Sequence, residues 1–166
     1  MKKLIGVSLV LGVILVLAAQ ALAAQLKEEE LEVLRDLPGV RVEVERLKPE
    51  IERDGLYCGT LQTDVELKLQ MVGIKVLSEE EWLKTTGSPY LYLHIDVLKY
   101  SKGYVYRIHL ALREKVNMTR KHLQVFATTM RMPVRFGVTK RLANIREETD
   151  DIIDIFINNW MEANAK

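Results

Sequence analysis

A chain of 166 residues that is 48% hydrophobic and 28% charged, with a net charge of +1, has the apolar content for one packed core. Its near-neutral balance excludes a polybasic nucleic-acid coat and an acidic disordered tail. Cys58 is the sole cysteine, so no internal disulfide framework exists and burial must hold the fold together.

The chain opens with Lys2 and Lys3, an apolar run from Leu4 to Ala19, and Ala21-Leu22-Ala23. That order is the pattern of a secretory signal peptide over residues 1–23, cleaved after Ala23. The 16-residue apolar run is shorter than the roughly 20 residues a spanning helix needs. No cysteine follows it directly to carry a lipid. The expected location is the periplasm or the exterior. The remaining chain divides into an acidic lead-in, residues 24–38, and a single domain, residues 39–166.

Within the lead-in, Gln25 to Asp36 is helical or frayed, and Pro38-Gly39 ends it. Val40 to Leu47 (VRVEVERL) alternates apolar and polar residues and predicts a half-buried strand. A polar connection follows to Gly55. Leu61, Val65, Leu69 and Val72 then recur at helical spacing, and Gly73 stands where a left-handed C-cap is wanted. Ile74 to Leu77 predicts a short strand. Ser78 with Glu81 forms a capping box that opens a short helix through Trp82 and Leu83.

Pro89 to Val116 predicts a long hairpin. With Lys102 and Gly103 as the turn centre, Val97 faces Ile108, Ile95 faces Leu110 and Leu93 faces Leu112 on an apolar face. On the other face Asp96 meets His109, His94 meets Ala111, Tyr92 meets Arg113 and Tyr90 meets Lys115. Leu123 to Met132 is a less clearly patterned strand ended by Pro133, and Val134 to Thr139 a loop. Leu142 to Trp160 keeps helical spacing over five turns. The expected class is α+β: a mostly antiparallel sheet of about five strands, with two main helices on one face. Two helices cover only one face, which leaves the tyrosine-histidine face open to water or to a partner.

Residues 113–146 hold nine Lys/Arg against one acid, Glu114, whereas Ala24–Cys58 and Glu147–Lys166 are each net acidic. This basic stretch suits an anionic envelope component or an acidic protein face. No nucleic-acid-binding module or stacking motif accompanies it. Tyr90 and Tyr92 beside Arg113 and Lys115, with Arg120 and Lys121 in the following turn, form the candidate interface, since tyrosine and arginine are enriched as interface anchors. The rival reading is a metal-binding protein or metal-dependent hydrolase built on His94, Asp96 and His109, two imidazoles and a carboxylate on one face. No G-x-S-x-G, H-E-x-x-H or C-x-x-C sequence supports catalysis. No cofactor is expected. Cys58 reads as a small, half-buried residue or as a link to another chain. Self-association through an exposed edge strand is a third reading.

The leader together with GVRVEVERLKPEIERDGL (Gly39–Leu56), TDVELKLQMVGIKVLSEEE (Thr63–Glu81), SPYLYLHIDVLKYSKGYVYRIHL (Ser88–Leu110) and IIDIFINNWMEAN (Ile152–Asn164) resembles a group of small exported bacterial proteins of unassigned function. The layout is similar to periplasmic α+β interaction domains such as the TolB N-terminal domain. Such domains work by protein contact, but the similarity concerns architecture, and fold alone does not give function. The expected role, read from the open face and the basic stretch, is that of a non-enzymatic domain that meets an envelope protein or an anionic envelope component, with membrane contact only peripheral. The resemblance supplies no catalytic residue.

Overall fold

A computed structural model describes residues 27–165; the expected signal peptide and its cleavage point at Ala23 lie outside them. Five helices and five strands follow in the order α1 (residues 27–32), β1 (Arg41–Val44), α2 (Pro49–Arg53), α3 (Cys58–Met71), α4 (Glu79–Lys84), β2 (Tyr90–Tyr100), β3 (Gly103–Met118), β4 (Leu123–Arg131), β5 (Arg135–Thr139) and α5 (Leu142–Ala163). The class is α+β. Among these helices none is long and apolar enough to cross a membrane.

The sheet runs β1-β2-β3-β4, with β5 also paired to β3. Only β1 on β2 is parallel; the other pairings are antiparallel. The 16-residue β3 is long enough to carry two partners on one edge: Tyr104–Ile108 pairs with β5 and Ala111–Met118 with β4. Strands β4 and β5 are therefore one edge interrupted around Pro133, where Met132 still donates its amide to the Leu110 carbonyl at 2.9 Å.

Helices α3 and α5 pack on the same side of the sheet. Leu61, Val65 and Leu69 from α3, and Ile145, Ile152, Ile153 and Phe156 from α5, join Leu91, Leu93, Ile108, Leu110 and Leu112 in one core. The apolar spacing read from the sequence falls on these buried residues. A Schellman motif ends α3: Ile74 donates to Leu69 and Gly73 to Gln70, with Gly73 at φ +86°. Ser78 and Glu81 make the expected capping box. The Lys75 ammonium, then the Ser78 amide and hydroxyl, hold the Glu81 carboxyl down to about 2.

Four local expectations change. Ile74–Leu77 is not a strand: it makes one parallel bridge, Val76 to Val40, because Gly73 has just turned the chain and Ser78 at once begins α4. Val134–Thr139 is not a loop, since β5 occupies it beside β3. The connection before Gly55 contains α2, whose Ile51 is fully buried. Finally, the hairpin turns on Ser101 and Lys102 rather than on Lys102 and Gly103, and its register moves by two residues. Tyr90 thus faces Arg113, Tyr92 faces Ala111, His94 faces His109, and Asp96 faces Arg107. A two-residue offset preserves which side chains share a face, so the apolar face survives intact. Gly103, at φ +148°, passes so close to the Thr139 carbonyl that a Cβ would collide with it. Its glycine serves this approach of β5, not the turn centre.

The acidic lead-in contributes Leu31 and Leu34 to the core. Asn164, past the end of α5, holds it there: its side-chain amide donates to the Leu34 carbonyl at 3.0 Å, and its oxygen accepts from the Asp36 amide at 3.1 Å. Lys27 reaches Glu162 at 2.7 Å.

Candidate functional site

The side of the sheet opposite α3 and α5 presents Arg41, Glu43 and Glu45 beside Tyr90, Tyr92, His94 and Asp96, then Arg107, His109, Ala111, Arg113 and Lys115. Pairing through β4 and β5 adds Phe126 opposite Lys115, Arg131 opposite Ala111, and Phe136 opposite Arg107.

At one end, α4 lays Trp82 over this face. The Trp82 ring stacks on Phe126 at 5.9 Å and meets Tyr90 edge-on at 6.1 Å. Its indole nitrogen donates to the Ser88 carbonyl at 2.6 Å, which fixes the ring against the loop before β2. Tyr90 is consequently buried, at 9% exposure. Tyr92 continues the row edge-on to Tyr90 at 6.5 Å, and His94 stacks on Tyr92 at 6.3 Å.

Each exposed stretch of this aromatic row carries a cation. The Arg41 guanidinium lies 5.1 Å from the Trp82 ring, Arg113 lies 4.8 Å from Tyr92 and 5.9 Å from Tyr90, and the Lys115 ammonium lies 5.5 Å from Phe126. Such contacts contribute about 0.5–1 kcal/mol each at exposed sites and hold the cation without neutralising it. Among the described residues, none of Arg41, Arg113 and Lys115 forms a salt bridge with a carboxylate.

The centre of the face is an ionic chain. Glu45 accepts from the Tyr92 hydroxyl and lies 2.5 Å from His94 Nδ1. His94 Nε2 lies 3.0 Å from Asp96, which pairs with Arg107 at 2.9 Å. Burial alone would lower the His94 pKa, but the two carboxylates outweigh it and hold the imidazolium above its ordinary range. His109, directly opposite, goes the other way: burial, then Arg131, Arg107, His94 and Arg113, push its pKa down. Its Nε2 is buried with no hydrogen-bond partner among the described residues.

The geometry bears differently on the two sequence-derived sets. Tyr90, Tyr92, Arg113 and Lys115 come together, whereas Arg120 and Lys121 lie in the exposed β3–β4 turn beyond Met118. Of His94, Asp96 and His109, the structure joins His94 to Asp96 but leaves His109 as the opposed residue. Both nitrogens of His94 are taken by carboxylates, which leaves no lone pair for a metal. Among the described residues no group of three or more His, Cys, Asp or Glu is placed to hold a metal ion. Cys58 is half-buried; its sulfur accepts from the Leu47 amide at 3.1 Å and donates to the Glu45 carbonyl at 3.4 Å, and burial raises its pKa.

Sequence reasoning missed Trp82, Phe126, Arg41 and Glu45. Arg41 and Glu45 carried a usable signal, since they alternate with Val42 and Val44 and belong to the polar face of β1. Phe126 was hidden by a bulge: Leu112 pairs with Met130 but Arg113 with Thr128, so Thr129 is extra and side-chain parity reverses there. No protein-family model, curated protein or solved structure matches the chain.

Proposed function

We propose that this is an exported, non-enzymatic interaction domain that captures an acidic segment of an envelope protein on the aromatic end of its open sheet face. One observation carries the reading: Arg41, Arg113 and Lys115 lie over aromatic rings and have no carboxylate partner among the described residues. A cation in that setting is oriented before binding, so less side-chain entropy is lost when an anion arrives. The aromatic surfaces between them, with Phe126 exposed, supply apolar contact for the same segment. Glu43, beside Tyr92 on the edge strand, would repel an acidic segment that extended toward His94.

Trp82 lies inside the proposed contact and reports on it. In a Trp160→Phe background, titration with poly-L-glutamate should change Trp82 fluorescence saturably and in a salt-sensitive manner. An Arg113→Gln, Lys115→Gln variant should need about tenfold more polymer, as expected for loss of steering and contact charges. An unchanged Trp82 signal, or equal affinity in the variant, would remove this surface as the binding site.

A further inference from the structure

The opposite end of the same face has a different chemistry. Leu98, Val105 and Val138 form one row across β2, β3 and β5, since Leu98 pairs with Val105 and Val105 with Val138. Phe136 stands beside them at 81% exposure, Val138 at 65% and Leu98 at 59%. Tyr100, also exposed, closes the row next to the hairpin turn. Cations border this apolar patch. Lys102 is in the turn, and Lys140 follows β5 where the Gly103 contact brings its backbone against the hairpin; Arg141 comes next.

Residues 97–107 and 134–141 contain six Lys/Arg and no acid. Two of the six are spoken for by carboxylates from elsewhere, Lys99 by Asp54 at 2.7 Å and Arg107 by Asp96. Arg135 points to the core side, opposite Ile108. Lys102, Lys140 and Arg141 remain, exposed and without a salt bridge among the described residues. The end of the sheet is thus apolar at its middle and positive at its rim.

We propose that this hairpin end docks peripherally on an anionic lipid bilayer, with Phe136, Val138 and Leu98 entering the boundary between headgroups and acyl chains while Lys102, Lys140 and Arg141 meet lipid phosphates. Charge complementarity selects this occupant: exposed apolar side chains beside cations that have no carboxylate partner among the described residues suit a negatively charged interface. Tyr100 adds an amphipathic ring at the depth where tyrosine is favoured in membranes. Contiguous exposed apolar patches mark contact sites. The proposal is independent of the acidic-segment site, which uses the other end of the face.

Flotation with phosphatidylglycerol–phosphatidylethanolamine vesicles, compared with phosphatidylcholine vesicles, tests it on the mature chain. Wild type should float with the anionic vesicles and stay behind with the neutral ones. Phe136→Ser with Val138→Ser, and separately Lys102→Gln with Lys140→Gln and Arg141→Gln, should each weaken flotation about tenfold. All five positions are exposed, and an unchanged thermal midpoint confirms that the fold is kept. The Arg113→Gln, Lys115→Gln variant should float as wild type does. No flotation of wild type, flotation of both patch variants at the wild-type level, or an equal loss in the Arg113/Lys115 variant would overturn the proposal. So would poly-L-glutamate binding that depends on Phe136 and Val138, which would assign the patch to an acidic protein.

Discussion

His94 and His109 stand directly opposite each other across β2 and β3, and their surroundings shift their pKa values in opposite directions. Burial works against the charge on His94, and Glu45 and Asp96 outweigh it and raise the pKa. Burial, then the arginines around it, lower the pKa of His109. A raised folded-state pKa adds stability that is full below the unfolded value, about 6.5, and disappears as pH rises through the folded value. For His109 the sign reverses: its neutral form is favoured by the fold, so stability is lost as pH falls below about 6.5 toward the lowered folded value. Urea unfolding between about pH 5 and about pH 8.5 should therefore show wild type exceeding His94→Gln most at the acid end. His109→Gln should gain on wild type at that same end. Parallel curves for all three proteins would contradict the opposed assignment.

Two glycine substitutions should have opposite signs. Gly103→Ala sets a Cβ against the Thr139 carbonyl at a φ of +148°, and should cost more than about 1 kcal/mol. Gly59→Ala lies in the first turn of α3 with no atom near the new Cβ, and should gain about 0.5 kcal/mol. Thermal unfolding of both measures the difference. Equal and small effects would mean that β5 does not crowd the hairpin.

Asn164→Ala removes the hydrogen bonds to Leu34 and Asp36 that tie the lead-in to α5. A loss of about 1–2 kcal/mol is expected, with faster amide exchange around Leu34 to Asp36 and little change in β3. Unaltered exchange there would show that Leu31 and Leu34 alone hold the segment.

Trp82→Ala should cost about 1–2 kcal/mol, because it unstacks Phe126 and uncovers Tyr90. Lys115→Gln should leave the thermal midpoint unchanged, since Lys115 is exposed and its ammonium, among the described residues, meets a ring and no carboxylate. If Trp82→Ala were equally silent, the aromatic row would not be a rigid platform.

How much of this was legible in the sequence follows from the range of each interaction. Val40, Val42 and Val44, the Leu61–Leu69 spacing, the Ser78–Glu81 box and the α5 stripe are local signals, and each yielded its element. Side-chain parity along Tyr90–Asp96 also put the right residues on the open face. The errors arose where distant segments decide. Gly103 was assigned to the turn because its close partner, Thr139, lies on a segment that reads as a loop. The Thr129 bulge hid Phe126, and Ile51 is a single apolar residue in a polar run with no period to reveal it. At the candidate site, Arg113 and Lys115 were visible as charges beside tyrosines. That Trp82 would fold over Tyr90 depends on how the loop from Thr85 to Pro89 returns α4 to the sheet, which no local pattern encodes.

Amide shift mapping by NMR on residues 24–166, titrated with poly-L-glutamate, locates the surface that an acidic segment occupies. The account predicts that shifts concentrate at Arg41, Trp82, Tyr92, Arg113, Lys115 and Phe126, and that they weaken together in the Arg113→Gln, Lys115→Gln variant. Shifts confined to other surfaces, or the absence of any saturable shift, would contradict an acidic partner on the aromatic end of the open face.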